Sequence, residues 1–209
     1  MSNINLSELD AIQYDVLKEI GNIGAGNATT ALAKMLNVKI DMNVPKVDLI
    51  GFDNIPAAIG KNEEDIMAGI LLQLDGDIKG MMMFILETDS ARGLVDALMM
   101  RPKDESKIGS FEFDEMECSA LREIGNIITG AYLSALSDLT RLTISASVPG
   151  LQIDMAASIL SVPAIEFGIL GDKVLFIETK FDAECEVNGF FVLVPELESY
   201  DTILKSLGL

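Results

Sequence analysis

Two stretches of this 209-residue chain open on the same five side chains and share a later glycine: E-I-G-N-I-G-A-G-N-A from Glu19 and E-I-G-N-I-I-T-G-A-Y from Glu123. In each, a carboxylate stands three residues before a carboxamide, Glu19 before Asn22 and Glu123 before Asn126. An amide does not titrate, so neither Asn is a general base. It does accept and donate hydrogen bonds, and it can hold a water at a chosen angle. That suffices when the substrate is already activated, as in phosphoryl transfer, where positioning and charge stabilisation supply most of the rate. The neighbouring carboxylate can grip a cation, most simply a lysine of a protein substrate. Each Glu-Asn pair therefore reads as half a site that a partner completes.

A helix is the element that would present such a pair. At 100° per residue, with Asp15 at zero, Glu19 falls at about 40°, Asn22 at about 340° and Gly26 at about 20°, one narrow outward stripe. Val16, Leu17, Ile20, Gly24, Ala28, Ala31 and Met35 form the opposite, packing face. The second copy repeats the stripe with Ser119, Glu123, Asn126 and Gly130, and turns Ala120, Leu121, Ile124 and Leu139 inward. Gly26 and Gly130 sit where a helix prefers a side chain by ~1 kcal/mol, so they read as clearing space beside the amide. Gly24 is expected to let helix and sheet approach, and Gly21 and Gly125 to admit a partner backbone. Asn27, about 120° away, reads as a satisfied core polar group or a local cap. One exposed Glu-x-x-Asn is a common ornament of helices, but packing does not ask for the same polar stripe twice.

The repetition extends well past the stripes. From Glu8 to Pro45 the chain matches itself without gaps at an offset of 104 residues, Glu8 and Asp10 meeting Glu112 and Asp114, and Ile40, Val44 and Pro45 meeting Ile144, Val148 and Pro149. Further on, Ile66 to Leu74, an Asp75-Gly76 turn and Ile78 to Leu86 read as a β-hairpin, mirrored by Val174 to Thr179 and Val187 to Val194. Gly80-Met-Met-Met-Phe-Ile-Leu corresponds to Gly189-Phe-Phe-Val-Leu-Val-Pro. A short helix follows each hairpin, Ser90 to Met100 and Glu196 to Leu207. Val38 to Leu49 alternates as a strand, with Pro45 marking a bend or an edge. Each half is thus helix, strand, short irregular or helical segment, hairpin, helix. Residues 1–104 and 105–209 are the expected halves of one domain, joined by the charged segment Arg101 to Ser110. The expected fold is α/β, internally duplicated about a pseudo-twofold axis, with a mainly antiparallel sheet of about six strands and the two motif-bearing helices packed on it.

Composition excludes several classes of function. With 49% apolar residues and a mean hydropathy of +0.35 the chain can bury a sizeable core. Its longest apolar runs fall far short of the ~18 to 20 residues that span a bilayer, and M-S-N-I-N-L-S-E-L-D lacks the basic region of a secretion signal. Cys118 and Cys185 fit partly buried thiols in a reducing cytoplasm. Histidine is absent, which removes Ser-His-Asp and Cys-His nucleophile systems and His-based zinc sites. A net charge of −18 repels nucleic acid and anionic lipid, while it can steer a partner bearing a basic patch. The Asp75-Gly76-Asp77 run is explained by a turn, not a metal site.

On these residues the sequence resembles the CheC, CheX and FliY family of bacterial chemotaxis phosphatases. That family's pattern is an acidic or Ser residue, three residues, Glu, two residues, Asn, about twenty-two residues, then Pro. Asp15, Glu19, Asn22 and Pro45 meet it, and Ser119, Glu123, Asn126 and Pro149 meet it again. Two complete motifs, and a length without room for a flagellar-switch domain, point to the CheC-type branch. The resemblance implies hydrolysis of the aspartyl-phosphate on the response regulator CheY. By the same resemblance Asn22 and Asn126 orient the attacking water, Glu19 and Glu123 pair with a CheY lysine, and Asp15, Ser119, Gly26 and Gly130 belong to the partner-facing surface. The magnesium would be CheY's, and no cofactor or metal is expected on this chain. CheC-type members also bind CheD, a receptor deamidase, here expected around Asp154, Met155 and Ala156. The alternative is an adaptor for CheD or phosphorylated CheY with little turnover. Gly24-Ala25-Gly26-Asn27 becomes Ile128-Thr129-Gly130-Ala131, and Asp15 becomes Ser119, so the two sites should differ.

Overall fold

The computed structural model describes residues 9–37, 41–42, 46–51, 54–59, 62–167, 173–182 and 186–209; Glu8, Ile40, Val44, Pro45 and Cys185, singled out above, lie outside them. The two motif helices are α1 (Ala11–Leu36) and α4 (Glu115–Thr140), each 26 residues long and in register with the repeat. Both begin with a capping box. The Asp10 carboxylate accepts from the Gln13 N–H while the Gln13 side chain accepts from the Asp10 N–H, and Asp114 and Glu117 do the same. Both end on a left-handed residue, Asn37 and Arg141.

Among the described residues eight strands form one antiparallel sheet: β1 (Asp41–Met42), β2 (Lys46–Gly51), β3 (Ile66–Gly76), β4 (Gly80–Glu87), β5 (Ile144–Ala146), β6 (Gly150–Met155), β7 (Lys173–Asp182) and β8 (Glu186–Pro195). They occupy six tracks, because β1 and β2 share β7 as neighbour and β5 and β6 share β3, in the order β1/β2, β7, β8, β4, β3, β5/β6. At the centre β4 pairs with β8, and Met83 lies opposite Val192, two residues equivalent in the repeat. The pseudo-twofold axis passes through that pair. The outer tracks are exchanged: β2 of the first half pairs with β7 of the second, and β6 of the second with β3 of the first.

Helices cover both faces, which explains why β4 is an unbroken apolar run. Met82, Phe84 and Leu86 join α1, α4, α3 (Thr88–Leu98) and α6 (Leu197–Ser206), while Met81, Met83 and Ile85 join α2 (Ile55–Ala58) and α5 (Ala156–Phe167). The Asp75-Gly76 hairpin turn is not what forms. Leu74 pairs with Gly80, so the reversal takes in residues 75–79, and Asp75 and Gly76, the latter at a φ of 104°, pair with Ser145 and Ile144 of β5. A second sheet neighbour has overridden the local turn signal.

Packing also reassigns the glycines. A Cβ on Gly24 would lie 2.4 Å from the Tyr132 ring, so Gly24 admits the other helix, not the sheet. A Cβ on Gly125 would lie 2.4 Å from Ile70 of β3, so this glycine, expected to face a partner, is the one that seats a helix on the sheet; Gly21 is also buried. The repeat equivalents of Gly24 and Tyr132 are Ile128 and Ala28, both fully buried, so bulk has moved from one helix to the other. Asn27 is exposed, its Nδ2 donating to the Ile23 carbonyl, and Leu139 is likewise at the surface.

The segment from Arg101 to Ser110 is fastened down. The Glu117 carboxylate, 1% exposed, receives Arg92 at 3.4 Å, Lys107 at 3.1 Å and Arg101, and Arg101 also reaches Asp96. Burial alone would raise the Glu117 carboxyl, but hydrogen bonds from Arg101, the Asp114 N–H and Lys107 reverse this and lower it to about 2. The carboxyl binds its proton less readily folded than unfolded, so its contribution is complete above the ordinary value of 4.5 and is lost as pH falls toward 2. We expect Glu117→Gln to cost about 2–4 kcal/mol at neutral pH in denaturant titrations, with the gap to wild type narrowing between pH 4.5 and 3. A gap independent of pH would show that the carboxylate charge is not what holds the segment.

Candidate functional site

The stripe on α4 faces solvent along its length: Ser119, Glu123, Asn126 and Gly130 are all exposed. It forms one wall of an open groove of about 480 Å³ whose other wall is residues 146–149, the break between β5 and β6. Gln73 of β3 holds this break with two hydrogen bonds, its carbonyl accepting from the Ser147 N–H at 2.9 Å and its N–H donating to the Ser147 Oγ at 3.0 Å. Pro149 is then buried under the groove and Val148 stands 87% exposed on its rim. The Pro that closes the motif thus belongs to the site, brought beside Asn126 by the return of the chain from α4 to the sheet edge.

Nothing among the described residues bonds the side chains of Ser119, Glu123 or Asn126. A carboxylate and a carboxamide one turn apart, with open space at Gly130, leave room for an incoming group. No Cβ-range neighbour lies within 4 Å of Gly130. The groove also contains Arg122, which sequence reasoning passed over because it stands next to the motif Glu and not in the stripe. Its place in the repeat, opposite Lys18, was the available signal.

The stripe on α1 is built differently. Asp15 and Glu19 are exposed, but Asn22 is half-buried, and its Oδ1 is shielded from solvent without a hydrogen-bond partner among the described residues. Gly26 is half-buried, its carbonyl accepting from the Thr30 hydroxyl. Beside them Lys18 approaches Asp48 of β2 at 3.7 Å and lies over the Tyr14 ring at 5.2 Å, and the Tyr14 hydroxyl donates to Asp48 at 3.0 Å. An orphaned carboxamide oxygen is costly, of the order of 1–3 kcal/mol, unless a water or a partner takes it up.

The third set of candidates, Asp154, Met155 and Ala156, lies at the β6–α5 junction. Met155 is 47% exposed and Asp154 is half-buried, its carboxylate accepting from the Met155 N–H at 2.7 Å. Ala156 is buried in the α2/α5 core and offers a partner no side chain. Strand β6 separates this junction from Pro149 by about 20 Å, so the two surfaces are distinct.

Residues 12–48 and 116–153 match the model of the CheC-like family, and each segment spans one complete motif. Over 200 residues the chain is 36% identical to the CheY-P phosphatase CheC of Bacillus subtilis, covering 94% of either protein. The crystal structure of Thermotoga maritima FliY superposes with a TM-score of 0.72 at 23% identity, covering 95% of this chain and 99% of that one. A chain of the CheX-CheY-BeF3-Mg+2 complex from Borrelia burgdorferi superposes at 0.53 with 17% identity, covering 88% of this chain and 98% of that one. The fold is shared with both.

Because a methyl group at position 130 meets open space, Gly130→Ala should stabilise the chain by about 1 kcal/mol through helix propensity alone. Thermal unfolding checks this. A loss of stability would show that the face of α4 at Gly130 is not open.

Proposed function

The chain belongs to the CheC-like family, and from that premise we propose that it dephosphorylates CheY by presenting Asn126 and Asn22 to the phosphorylated aspartate. The observation that carries the reading is the pair Glu123–Asn126, solvent-facing and without intramolecular partners on an open groove, in a chain that resembles a CheY-P phosphatase along nearly its whole length.

An aspartyl phosphate is a mixed anhydride, so its P–O bond to the carboxyl is already labile. Water attacks phosphorus in line, the bond to the aspartate oxygen breaks, aspartate leaves as carboxylate, and the water's proton passes to phosphate or solvent. The carboxamide orients that water through its Oδ1 and contributes no proton of its own. Glu123 and Glu19 hold the receiver by pairing with a lysine, and Ser119, Asp15, Gly130 and Gly26 make up the surface it rests on. Any magnesium is CheY's own, and the cytoplasm, where CheY works, is the compartment. Asn126 is open and Asn22 is occluded, so the second site carries more of the turnover. The exposed Met155 at the β6–α5 junction favours one additional role, docking of CheD at a surface remote from the groove.

Phosphate release from purified phosphorylated CheY tests the reading. Asn22→Ala with Asn126→Ala should fold normally and lower the stimulated rate about 10²-fold, to CheY's own rate, with Asn126→Ala alone costing more than Asn22→Ala. Undiminished dephosphorylation by the double variant would overturn the assignment of the two Asn residues, and wild-type chain that binds phosphorylated CheY without speeding phosphate release would leave the adaptor role as the function.

A further inference from the structure

The two sites differ in the fate of one cation. In the first, Lys18 is taken up by Asp48 and the Tyr14 ring. The repeat puts Arg122 in its place in the second, but the residues equivalent to Tyr14 and Asp48 are Cys118 and Gln152, which hold no cation. Cys118 turns its thiol to the Phe113 carbonyl instead. Arg122 is left exposed, without a hydrogen bond or ion pair among the described residues, on the wall of the groove one turn before Asn126. On the helix it flanks Asn126 on the side away from Glu123, about 40° from it. The Arg92 and Arg101 guanidiniums, by contrast, are both committed to Glu117.

Counting the side chains at equivalent positions, the first site carries Asp15, Lys18, Glu19 and Asp48, a net charge of two negatives, whereas the second carries Ser119, Arg122, Glu123 and Gln152, a net charge of zero. The substrate of the reading above is a phosphoryl group bearing close to two negative charges. A doubly negative site repels it, and a neutral site with an uncommitted guanidinium beside the water-positioning amide does not. A guanidinium also offers paired N–H donors that match phosphoryl oxygens.

We propose that Arg122 is the specificity-determining residue of the second site, pairing with the phosphoryl oxygens of the receiver at Asn126 and so selecting the phosphorylated form, a role Lys18 does not have in the first site. The inference rests on the phosphatase reading and sharpens it.

It is tested on the second site alone, in full-length chain carrying Asn22→Ala. Adding Arg122→Gln should raise the KM for phosphorylated CheY roughly tenfold with kcat within about threefold, flatten the salt dependence of kcat/KM, and abolish the preference for fluoroberyllate-loaded over bare CheY in a binding titration. Arg122→Lys should restore part of the affinity. Lys18→Gln on the Asn126→Ala background should raise KM several-fold less than Arg122→Gln does, because Lys18 is held by Asp48. An unchanged KM and binding preference for Arg122→Gln, in chain whose turnover still depends on Asn126, would overturn this inference alone. Turnover that survives loss of both Asn residues would overturn the Asn-based site of the reading above and this inference with it, and wild-type chain without stimulated turnover would overturn the phosphatase reading itself.

Discussion

Two long helices can lie side by side on one face of a sheet and still point equivalent stripes outward only if their backbones approach closely, and here that approach rests on the Tyr132 ring filling the space above Gly24. The ring also sits within 6.2 Å of Phe191, so a single side chain links α4, α1 and the central strand β8. Any side chain at position 24 would push α1 away and rotate Glu19 and Asn22 with it. The contact is asymmetric, since Ile128 and Ala28 stand at the equivalent positions, and the duplicated halves have therefore drifted apart where they touch.

Strand exchange supplies the second constraint. The groove has one wall from α4 and another from the β5–β6 break, and that break is held by Gln73 of the other half. The second site is therefore completed by the first half of the chain, and neither repeat builds it alone. The Glu117 cluster adds to this by fixing the connection between halves onto the start of α4, so the helix that carries Glu123 and Asn126 is anchored at its N-terminus as well as along its buried face.

Much of this was legible because repetition made weak signals strong. The two helices and their inward faces followed from the recurring Glu-x-x-Asn and from Leu17, Ile20, Leu121 and Ile124, whereas the caps at Asp10 and Asp114 were matched only as repeat positions. What escaped depended on contacts distant in sequence. Asp75-Gly76 has a strong turn preference, yet β5 claims it as strand. The helical wheel put Gly24 against the sheet and Gly125 toward a partner, and only the opposing Tyr132 and Ile70 show that the first meets a helix and the second the sheet. Arg122 drew no notice because an exposed arginine on a helix is ordinary; its meaning comes from the loss of partners that its counterpart Lys18 retains. The exchange of β2 and β6 leaves no mark on local pattern, since either arrangement buries the same alternating residues.

That exchange sets the order in which a growing chain can complete its sheet. Strand β3 ends at residue 76 and must wait for β6, which closes at residue 155, and β2 waits longer still for β7. At translation speeds of roughly 5–20 residues per second, β3 stands with one edge unpaired for several seconds on the ribosome. The nascent hairpin, apolar on both faces, is thus an aggregation hazard for that interval, and the rate of synthesis between the two halves bears directly on the yield of native protein.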